Sequence, residues 1–481
     1  MTTAAVASPR AAAGLNLWLL IALVVGSIIG SGIFGLPQNM AAGAGAGAIL
    51  IGWAISGTGM LMLALVYQML AVRKPKLDNG VYAYARALSG EYVGFNSAWG
   101  YWVSAWIGNV GYLVAAFGAL AYFYPGFGEG NTVPAIAGAS LVLWLVHFMV
   151  LRGIQGAAVL NAVVTVAKVV PLVLFIVLVA IAFKWDTFHL GLWGSVELGS
   201  VLKQVKSTML VTVWVFIGIE GASVYSARAA RREDVGKATV AGFLICLLLL
   251  MAVSLLSLGV SSQSELAGLK NPSMAGVLEK VVGTWGAVVI YLGLIVSVGG
   301  GFLAWTLLAA ESLFTPANGG VMPAWLGRQN LHGVPANAMW LTSALVQAFL
   351  LITLFSRASY LALISLSTAM ILVPYLLSAL YGLRVAWQGR INTMATSAGT
   401  AKDVPVAALA SVFCLWLLYA AGLKYLLLSA LLYAPGAIVF VMARREQKNA
   451  ALTTPERMLL GALVCLAVVA AAMLYSGALT L

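Results

Sequence analysis

The chain has 481 residues, of which 62% are hydrophobic and 8% are charged. This composition excludes a soluble globule and is typical of a protein with many membrane-spanning helices. The net charge of +12 does not indicate nucleic acid as a partner, because the Lys and Arg residues are concentrated in alternate loops between apolar segments, as the positive-inside rule requires of cytoplasmic loops.

The apolar segments are long enough for helices that cross a bilayer, which need about 17–25 residues. They lack the alternation of apolar and polar residues that is typical of strands, so the sequence predicts an all-α polytopic membrane protein. The loop charges place the N-terminus in the cytoplasm and, after an odd number of crossings, Leu481 outside. The thirteen predicted spans are 15–40, 46–72, 95–124, 133–151, 157–183, 203–227, 237–261, 284–315, 338–356, 359–384, 405–422, 424–443 and 458–479, of which the two beside Lys424 are the hardest to separate.

A glycine cluster interrupts the first span, with Gly26, Gly30, Gly32 and Gly35 within ten residues. Glycine is a poor helix former, and non-helical backbone at mid-membrane depth is tolerated only where it faces protein or a water-filled cavity. Half-helices that meet at such a break bind charged solutes in many secondary transporters. The interruption therefore predicts that the chain moves a polar solute across a membrane.

The sixth span carries a second interruption, from Phe216 to Ser223. Gly218 lies as far from Lys203 as Gly30 lies from Leu15, so both breaks are expected at the same depth. Matching breaks in a first and a sixth helix predict two five-helix repeats of inverted topology; the alternative is that both clusters only allow close helix packing. The expected parts are a cytoplasmic tail at 1–14, repeats at 15–183 and 203–384, and peripheral helices at 405–481.

Neither the cysteines nor the histidines indicate a metal, a disulfide or a cofactor. All three cysteines fall within predicted spans, and the three histidines are too far apart in sequence for a local metal site. Intramembrane catalytic motifs such as HExxH or GxSxG are absent, which argues against an enzyme. These residues are Cys246, Cys414, Cys465, His147, His189 and His332.

Four motifs resemble the amino acid–polyamine–organocation superfamily, and within it the basic amino acid/polyamine antiporters. They are GSGIF (Gly30–Phe34), WIGN (Trp106–Asn109), WVFIGIEGAS (Trp214–Ser223) and WTLLAAE (Trp305–Glu311). The resemblance covers residues 15–443 and implies a LeuT-like transporter fold with five-plus-five inverted repeats. It also implies exchange of arginine for ornithine, with lysine and agmatine as further candidate substrates, across the bacterial inner membrane.

The two breaks are expected to bind the zwitterionic head of an amino acid. The N–H groups of Ser31, Gly32 and Ile33 begin the second half of the first helix, where the helix dipole is positive, and would donate to the carboxylate. Carbonyl groups left unpaired near Ile28 and Ile217 would accept from the α-ammonium group. This use of both breaks matches the family.

Side chains near the breaks are expected to bind the cationic end of the substrate. Trp214 and Trp305 offer indole faces to a guanidinium or ammonium group, and the resemblance implies that they sandwich the substrate and gate it. Asn109 would accept from the distal cationic group; the alternative is a hydrogen bond between helices. The resemblance also implies a substrate contact at Ser367, although Ser365 is an equally polar neighbour.

Four further residues are expected to gate or couple transport. Tyr101 would close the outer side of the site, and the resemblance implies a gating role for Tyr375. Glu220 and Lys168 are ionisable residues inside spans, where a charge is expensive and usually functional. By resemblance Glu220 is tied to proton sensing, the alternative being a hydrogen bond to the broken backbone. Lys168 would replace a sodium ion by binding carbonyls of the first break, the alternative being that it snorkels to an interface.

Other transport modes and a non-transport role stay open. A proton-coupled symporter or a uniporter for cationic amino acids would use the same site, and a sensor would bind without transport. A channel is disfavoured because two broken helices surround one site instead of a repeated filter. Besides its substrates and the lipid bilayer, the expected partner is a second copy of the chain in a homodimer.

Overall fold

The computed structural model describes residues 16–75, 77, 80–153, 157–190, 192–220, 231–355, 360–391, 402–448 and 452–479. Within these ranges the regular structure is helical and contains no strand, which confirms the predicted all-α class. The predicted tail 1–14 and Leu481 lie outside them. The α-helices are α1 (Leu17–Ile28), α2 (Leu36–Ala41), α3 (Ala46–Arg73), α4 (Gly80–Ser89), α5 (Glu91–Leu120), α6 (Val133–Leu151), α7 (Ala157–Ile181), α8 (Trp185–Leu190), α9 (Val201–Trp214), α10 (Arg232–Ser257), α11 (Gln263–Ala267), α12 (Ser273–Val282), α13 (Thr284–Asn318), α14 (Ala336–Phe355), α15 (Tyr360–Ile391), α16 (Asp403–Glu446) and α17 (Thr454–Tyr475).

The first span is broken where the glycine cluster predicts a break. Helix α1 ends at Ile28, Gly32–Gly35 form a single 3₁₀ turn, and α2 continues to Ala41. The parts before and after the break are bent by 49° relative to each other. Pro37 lies in the first turn of α2, where its missing N–H removes no helix hydrogen bond, so the chain resumes as a helix there.

The sixth span is also interrupted at the expected place. Helix α9 is 14 residues long and ends at Trp214, and residues 215–220 form turns. Gly218 has φ +108°, a backbone conformation that favours glycine. The continuation of this span to 227, with Ser223 of its motif, lies outside the described residues.

The number of spans agrees only in part with the thirteen predicted. Among the described residues, nine helices are long and apolar enough to cross a membrane, and α1 with α2 make a tenth if the bent pair is one span. The 44-residue helix α16 contains a non-helical Gly422, two residues before Lys424, which divides it where two spans are predicted. The count of thirteen therefore stays a prediction.

Helix α5 forms the centre of the bundle, and its packing positions the two breaks. It packs most extensively against α13 and α15, while α1 packs against α10 and α7. Helix α9 packs against α3 and α15. Both broken segments are thus enclosed by other helices, which is where non-helical backbone is tolerated in a membrane protein.

Polar contacts hold α2 against the short helices α11 and α12. The Gln38 N–H donates to Ser273 Oγ at 3.0 Å, and its Nε2 donates to the Ala267 carbonyl at 3.3 Å. Gln263 Nε2 donates to the Ala41 carbonyl at 2.5 Å. These bonds fix the second half of the broken first helix relative to the loop between α10 and α13.

Candidate functional site

A cavity of about 430 Å³, including its open mouth, lies between the two breaks. Residues from both breaks and from α5, α10, α13 and α15 line it. They are Ile28, Gly30, Gly32, Ile33, Ser104, Ala105, Gly108, Tyr112, Trp214, Val215, Ile217, Leu250, Trp305 and Ser367.

The first break leaves backbone donors facing this cavity. The first hydrogen bond of the resumed helix is from the Phe34 N–H to the Ser31 carbonyl at 3.2 Å. In the described part of the chain, the N–H groups of Ser31, Gly32 and Ile33 donate to no protein group. Ser31 itself does not line the cavity; its hydroxyl lies 3.0 Å from the Tyr360 hydroxyl. The free N–H groups can therefore donate to an anionic group of a ligand.

Trp214 packs directly over the first break. A Cβ atom at Gly32 would lie 2.7 Å from two atoms of the Trp214 indole, and one at Gly108 would lie 3.2 Å from it. The absence of a side chain at Gly32 therefore allows the indole to lie against the first break, and Gly108 leaves it further room. Trp214 thereby covers the cavity at the end where the resumed first helix begins.

Lys168 occupies the other side of the first break. Its ammonium group donates to the carbonyl oxygens of Gly26 at 2.6 Å and Ile29 at 2.5 Å. This is the contact expected from the sequence, and snorkelling is contradicted because Lys168 is 1% exposed. The positive charge lies at the C-terminal end of α1, where the helix dipole is negative.

The two breaks touch each other. A Cβ atom at Gly218 would lie 2.6 Å from the Ser27 carbonyl oxygen, and Ser27 Oγ donates to the Gly218 carbonyl at 3.1 Å. Within the described residues, the carbonyl groups of Ile28 and Ile217 accept no hydrogen bond from the protein. Both residues line the cavity, so their carbonyls can accept from a cationic group.

Glu220 is the acceptor of a buried hydrogen-bond cluster at the second break. The Tyr101 hydroxyl donates to Oε1 at 2.7 Å, and the Tyr375 hydroxyl donates to Oε2 at 2.8 Å. The Gly218 N–H also donates to Oε2, at 3.2 Å. The carboxylate thus combines the bond to the broken backbone, which the sequence left as an alternative, with contacts to both predicted gating tyrosines. None of Tyr101, Tyr375 or Glu220 lines the cavity itself.

Tyr101 lies outside the cavity lining, and its expected role in closing the outer side stays a prediction. On α5 the cavity-lining residues run from Ser104 to Tyr112, so Tyr101 lies beyond one end of the cavity. Tyr112 lies at the opposite end, where its ring centroid is 6.1 Å from that of Trp214. Tyr101 and Tyr112 therefore lie toward opposite ends of the cavity, and the predicted orientation of the chain decides which end faces the cytoplasm.

Trp305 and Ser367 line the cavity as expected, whereas Asn109 does not. Asn109 Nδ2 donates to Thr306 Oγ1 at 3.2 Å, which is the interhelical bond that the sequence left as an alternative. Its Oδ1 is buried and has no partner among the residues described. Ser367 Oγ donates to the Ser104 carbonyl at 2.7 Å.

The sequence reasoning missed several residues of the site. Ser104 and Tyr112 could have been found, because they follow Tyr101 and Gly108 at helical spacing on the same face. Tyr360 gave no signal, since it begins a helix far from any motif and reaches Ser31 only in three dimensions.

A cavity between two touching breaks, inside an all-helical bundle with spans of membrane length, defines a secondary transporter. Residues 15–441 match the family model for amino acid permeases. The chain belongs to this family, and it is a multi-pass membrane transporter and not an enzyme.

Relatives of known name cover almost the whole chain. An arginine/ornithine antiporter of Pseudomonas aeruginosa is 56% identical over 476 residues, which are 97% of this chain and 98% of that protein. A putative arginine/ornithine antiporter of Escherichia coli is 46% identical over 96% of this chain and 99% of its own. An arginine/agmatine antiporter of Chlamydia felis is 42% identical over 90% of each chain. The resemblance to basic amino acid antiporters is therefore confirmed.

Proposed function

We propose that this chain is an antiporter that exchanges basic amino acids across the bacterial inner membrane, with arginine entering as ornithine leaves. The substrate class is supported by the names of the relatives that match nearly the whole chain. The unpaired backbone groups around one cavity carry the proposal. The N–H groups of Gly32 and Ile33 lie at one break, and the carbonyl groups of Ile28 and Ile217 come from both.

These groups fit the head of a zwitterionic amino acid. The carboxylate binds the N–H groups at Ser31, Gly32 and Ile33, and the α-ammonium group donates to the two carbonyls. The cationic end of the side chain lies against the indoles of Trp214 and Trp305, where a cation–π contact contributes about 0.5–2 kcal/mol. Ser367 takes the substrate contact and Tyr375 the gating role that the family motifs imply. Asn109 uses its amide nitrogen on Thr306, so only its unpaired Oδ1 is left to accept from the cationic end.

The same groups explain why the carrier exchanges its substrates. When the site is empty, these N–H and carbonyl groups have no partner among the described residues, and each unsatisfied buried group costs about 1–3 kcal/mol. A barrier higher by 1.4 kcal/mol slows a step about tenfold. A few such groups make the return of the empty carrier far slower than the return of the loaded one.

Sodium is not needed in this scheme because Lys168 places a fixed positive charge on the carbonyls of the first break. Trp214 closes one end of the cavity, and the cluster of Glu220 with two tyrosines closes the other. The cytoplasmic N-terminus, the outer Leu481, the inverted repeats 15–183 and 203–384, the homodimer, and lysine and agmatine as further substrates belong to the same proposal.

Counterflow in proteoliposomes tests it. Vesicles loaded with ornithine should take up labelled arginine quickly and without sodium, while vesicles loaded with glutamate should not. Because arginine and ornithine both carry one net positive charge, the uptake should be insensitive to membrane voltage.

The other outcomes identify the alternatives. Strong arginine uptake into empty vesicles under a proton gradient would establish a symporter and overturn exchange. Uptake of arginine down its own concentration gradient, with neither a proton or voltage gradient nor a substrate inside the vesicles, would establish a uniporter. Binding of arginine without any flux would establish a sensor.

A further inference from the structure

Tyr112 brings a phenol hydroxyl to the first break, and the binding scheme above does not use it. Gly30 makes room for this group, because a Cβ atom there would lie 2.5 Å from the hydroxyl oxygen. Tyr112 is 6% exposed and lines the cavity together with Gly30. The hydroxyl is therefore held against the broken backbone at the wall of the cavity.

The proton of this hydroxyl has no acceptor in the described part of the protein. The Trp305 indole lies beside the phenol oxygen, but an indole N–H can only donate. Neighbouring Ser31 already pairs its hydroxyl with Tyr360. A buried donor without an acceptor is unfavourable, so the Tyr112 O–H is satisfied best when the ligand supplies the acceptor.

A basic amino acid offers only one acceptor to this donor. A protonated amine and a guanidinium carry donors and no acceptor, whereas a carboxylate carries only acceptors. The carboxylate is also the group attracted by the free N–H groups of Gly32 and Ile33, two and three residues after Gly30. The acceptor and the donor therefore meet at the same break.

We propose that Tyr112 determines specificity by donating to the substrate carboxylate, so that the site prefers amino acids to their decarboxylated amines. Agmatine is arginine without its carboxylate, and it leaves this donor and the backbone N–H groups unpaired. Sites that hydrogen-bond a substrate group reject analogues that lack it for this reason. The inference rests on the proposed exchange of basic amino acids and names the class of solute that the same site selects.

Tyr112→Phe tests the proposal, because it removes the hydroxyl and keeps the ring against Trp214. Binding of arginine, ornithine and agmatine to purified protein is measured by calorimetry, and each solute is also used to compete with labelled arginine. The variant should bind arginine and ornithine about tenfold more weakly, as expected for a lost bond to a charged group. Agmatine binding should stay unchanged, so the preference for arginine narrows by the same factor.

Tyr122→Phe is the matched control. Tyr122 follows the end of the same helix, outside the cavity, and stacks on Tyr291 with ring centroids 4.4 Å apart. This variant loses an equivalent hydroxyl and should keep the wild-type preference.

Gly30→Ala gives a second test from the other side of the contact. Its Cβ would displace the Tyr112 hydroxyl, so arginine binding should weaken much more than agmatine binding. If Tyr112→Phe weakens the binding of arginine and of agmatine equally, or weakens neither, Tyr112 does not bind the carboxylate and the inference is overturned. Absence of arginine–ornithine exchange by the wild-type protein would instead overturn the proposed function, and the two failures are thus distinguishable.

Discussion

The two helix breaks carry buried charges of opposite sign. At the first break, the Lys168 ammonium group binds two carbonyls left free at the end of α1. At the second, the Glu220 carboxylate binds an N–H group left free at Gly218. Each charge matches the partial charge of the backbone that it meets, which is how a protein can keep non-helical backbone inside a membrane.

The two charges differ in what else they hold. Lys168 belongs to another helix, α7, and among the described residues its ammonium group donates only to backbone carbonyls. It therefore attaches the first break to α7. Glu220 belongs to the second break itself and accepts from Tyr101 on α5 and Tyr375 on α15. Phenol hydrogen bonds between helices can be exchanged for bonds to other partners when helices move. We therefore expect the first break to stay fixed and the second break to change partners during transport.

The largest effect is expected from Lys168→Met, which keeps the length of the side chain and removes its charge. Two buried carbonyls then lose their partner, at about 1–3 kcal/mol each. Thermal unfolding in detergent should show a loss of roughly 2–6 kcal/mol, and exchange should stop. Lys184→Met is the control, since Lys184 is exposed and should have almost no effect. A stable, active Lys168→Met protein would contradict the idea that the first break needs a fixed charge.

The next effect concerns the contact between the breaks. Gly218→Ala would force a Cβ to within 2.6 Å of the Ser27 carbonyl oxygen, at a φ of +108°. Gly422→Ala is the matched control, because Gly422 has φ +76° and nothing within 4 Å of its Cβ position. The control should cost about 1–3 kcal/mol for its backbone conformation alone, and Gly218→Ala should cost more. Equal losses in thermal unfolding would show that the breaks do not depend on touching.

Much of this arrangement could be predicted from the sequence, because a membrane restricts where a helix can be broken and where a charged side chain can be buried. Clustered glycines can break a helix only where protein covers the backbone, so the positions of both breaks followed from Gly30 and Gly218. A lysine in the middle of a span must find acceptors, and the nearest break supplied them to Lys168.

Rotation and depth within the bundle were harder to predict. Asn109 was expected on the substrate face of α5, but the helix turns it to Thr306, and a rotation of one residue separates the two outcomes. The motif gave the helix of Tyr101 but not its depth relative to the second break, so the side of the cavity that it closes stays a prediction. The spacing from Gly108 places Tyr112 on the cavity face of α5, but its approach to Gly30 exists only in the folded protein, so the sequence could not predict that contact.

A smaller effect on stability is expected from Glu220→Gln. The amide keeps the shape and an acceptor oxygen for one tyrosine, so the loss should be about 0.5–1.5 kcal/mol, as charge-assisted bonds become neutral ones. The main change should be functional: the rate of arginine–ornithine exchange should vary less with pH, because the group at the second break no longer titrates. Glu279→Gln, at an exposed position, should keep the wild-type pH profile. An unchanged profile for Glu220→Gln would leave the carboxylate with a structural role only.

The smallest effect on stability is expected at a Lys–Glu ion pair that is exposed to solvent. Lys280 Nζ lies 3.0 Å from Glu265 Oε2 in the loop between α10 and α13, with both side chains about half exposed. Hydrogen bonds from Lys280 and the Ser262 N–H lower the pKa of Glu265 below its usual value. A carboxyl group with a lowered folded-state pKa stabilises the fold above its unfolded pKa, and this contribution disappears as the pH falls through the folded pKa.

Lys280→Gln should therefore cost less than about 1 kcal/mol at pH 7. The cost should shrink toward zero well below pH 4 and also in about 1 M salt, as measured by thermal unfolding. If Lys280→Gln lowered the free energy of unfolding as much as Lys168→Met does, burial would not explain why the charges at the two breaks stabilise the fold.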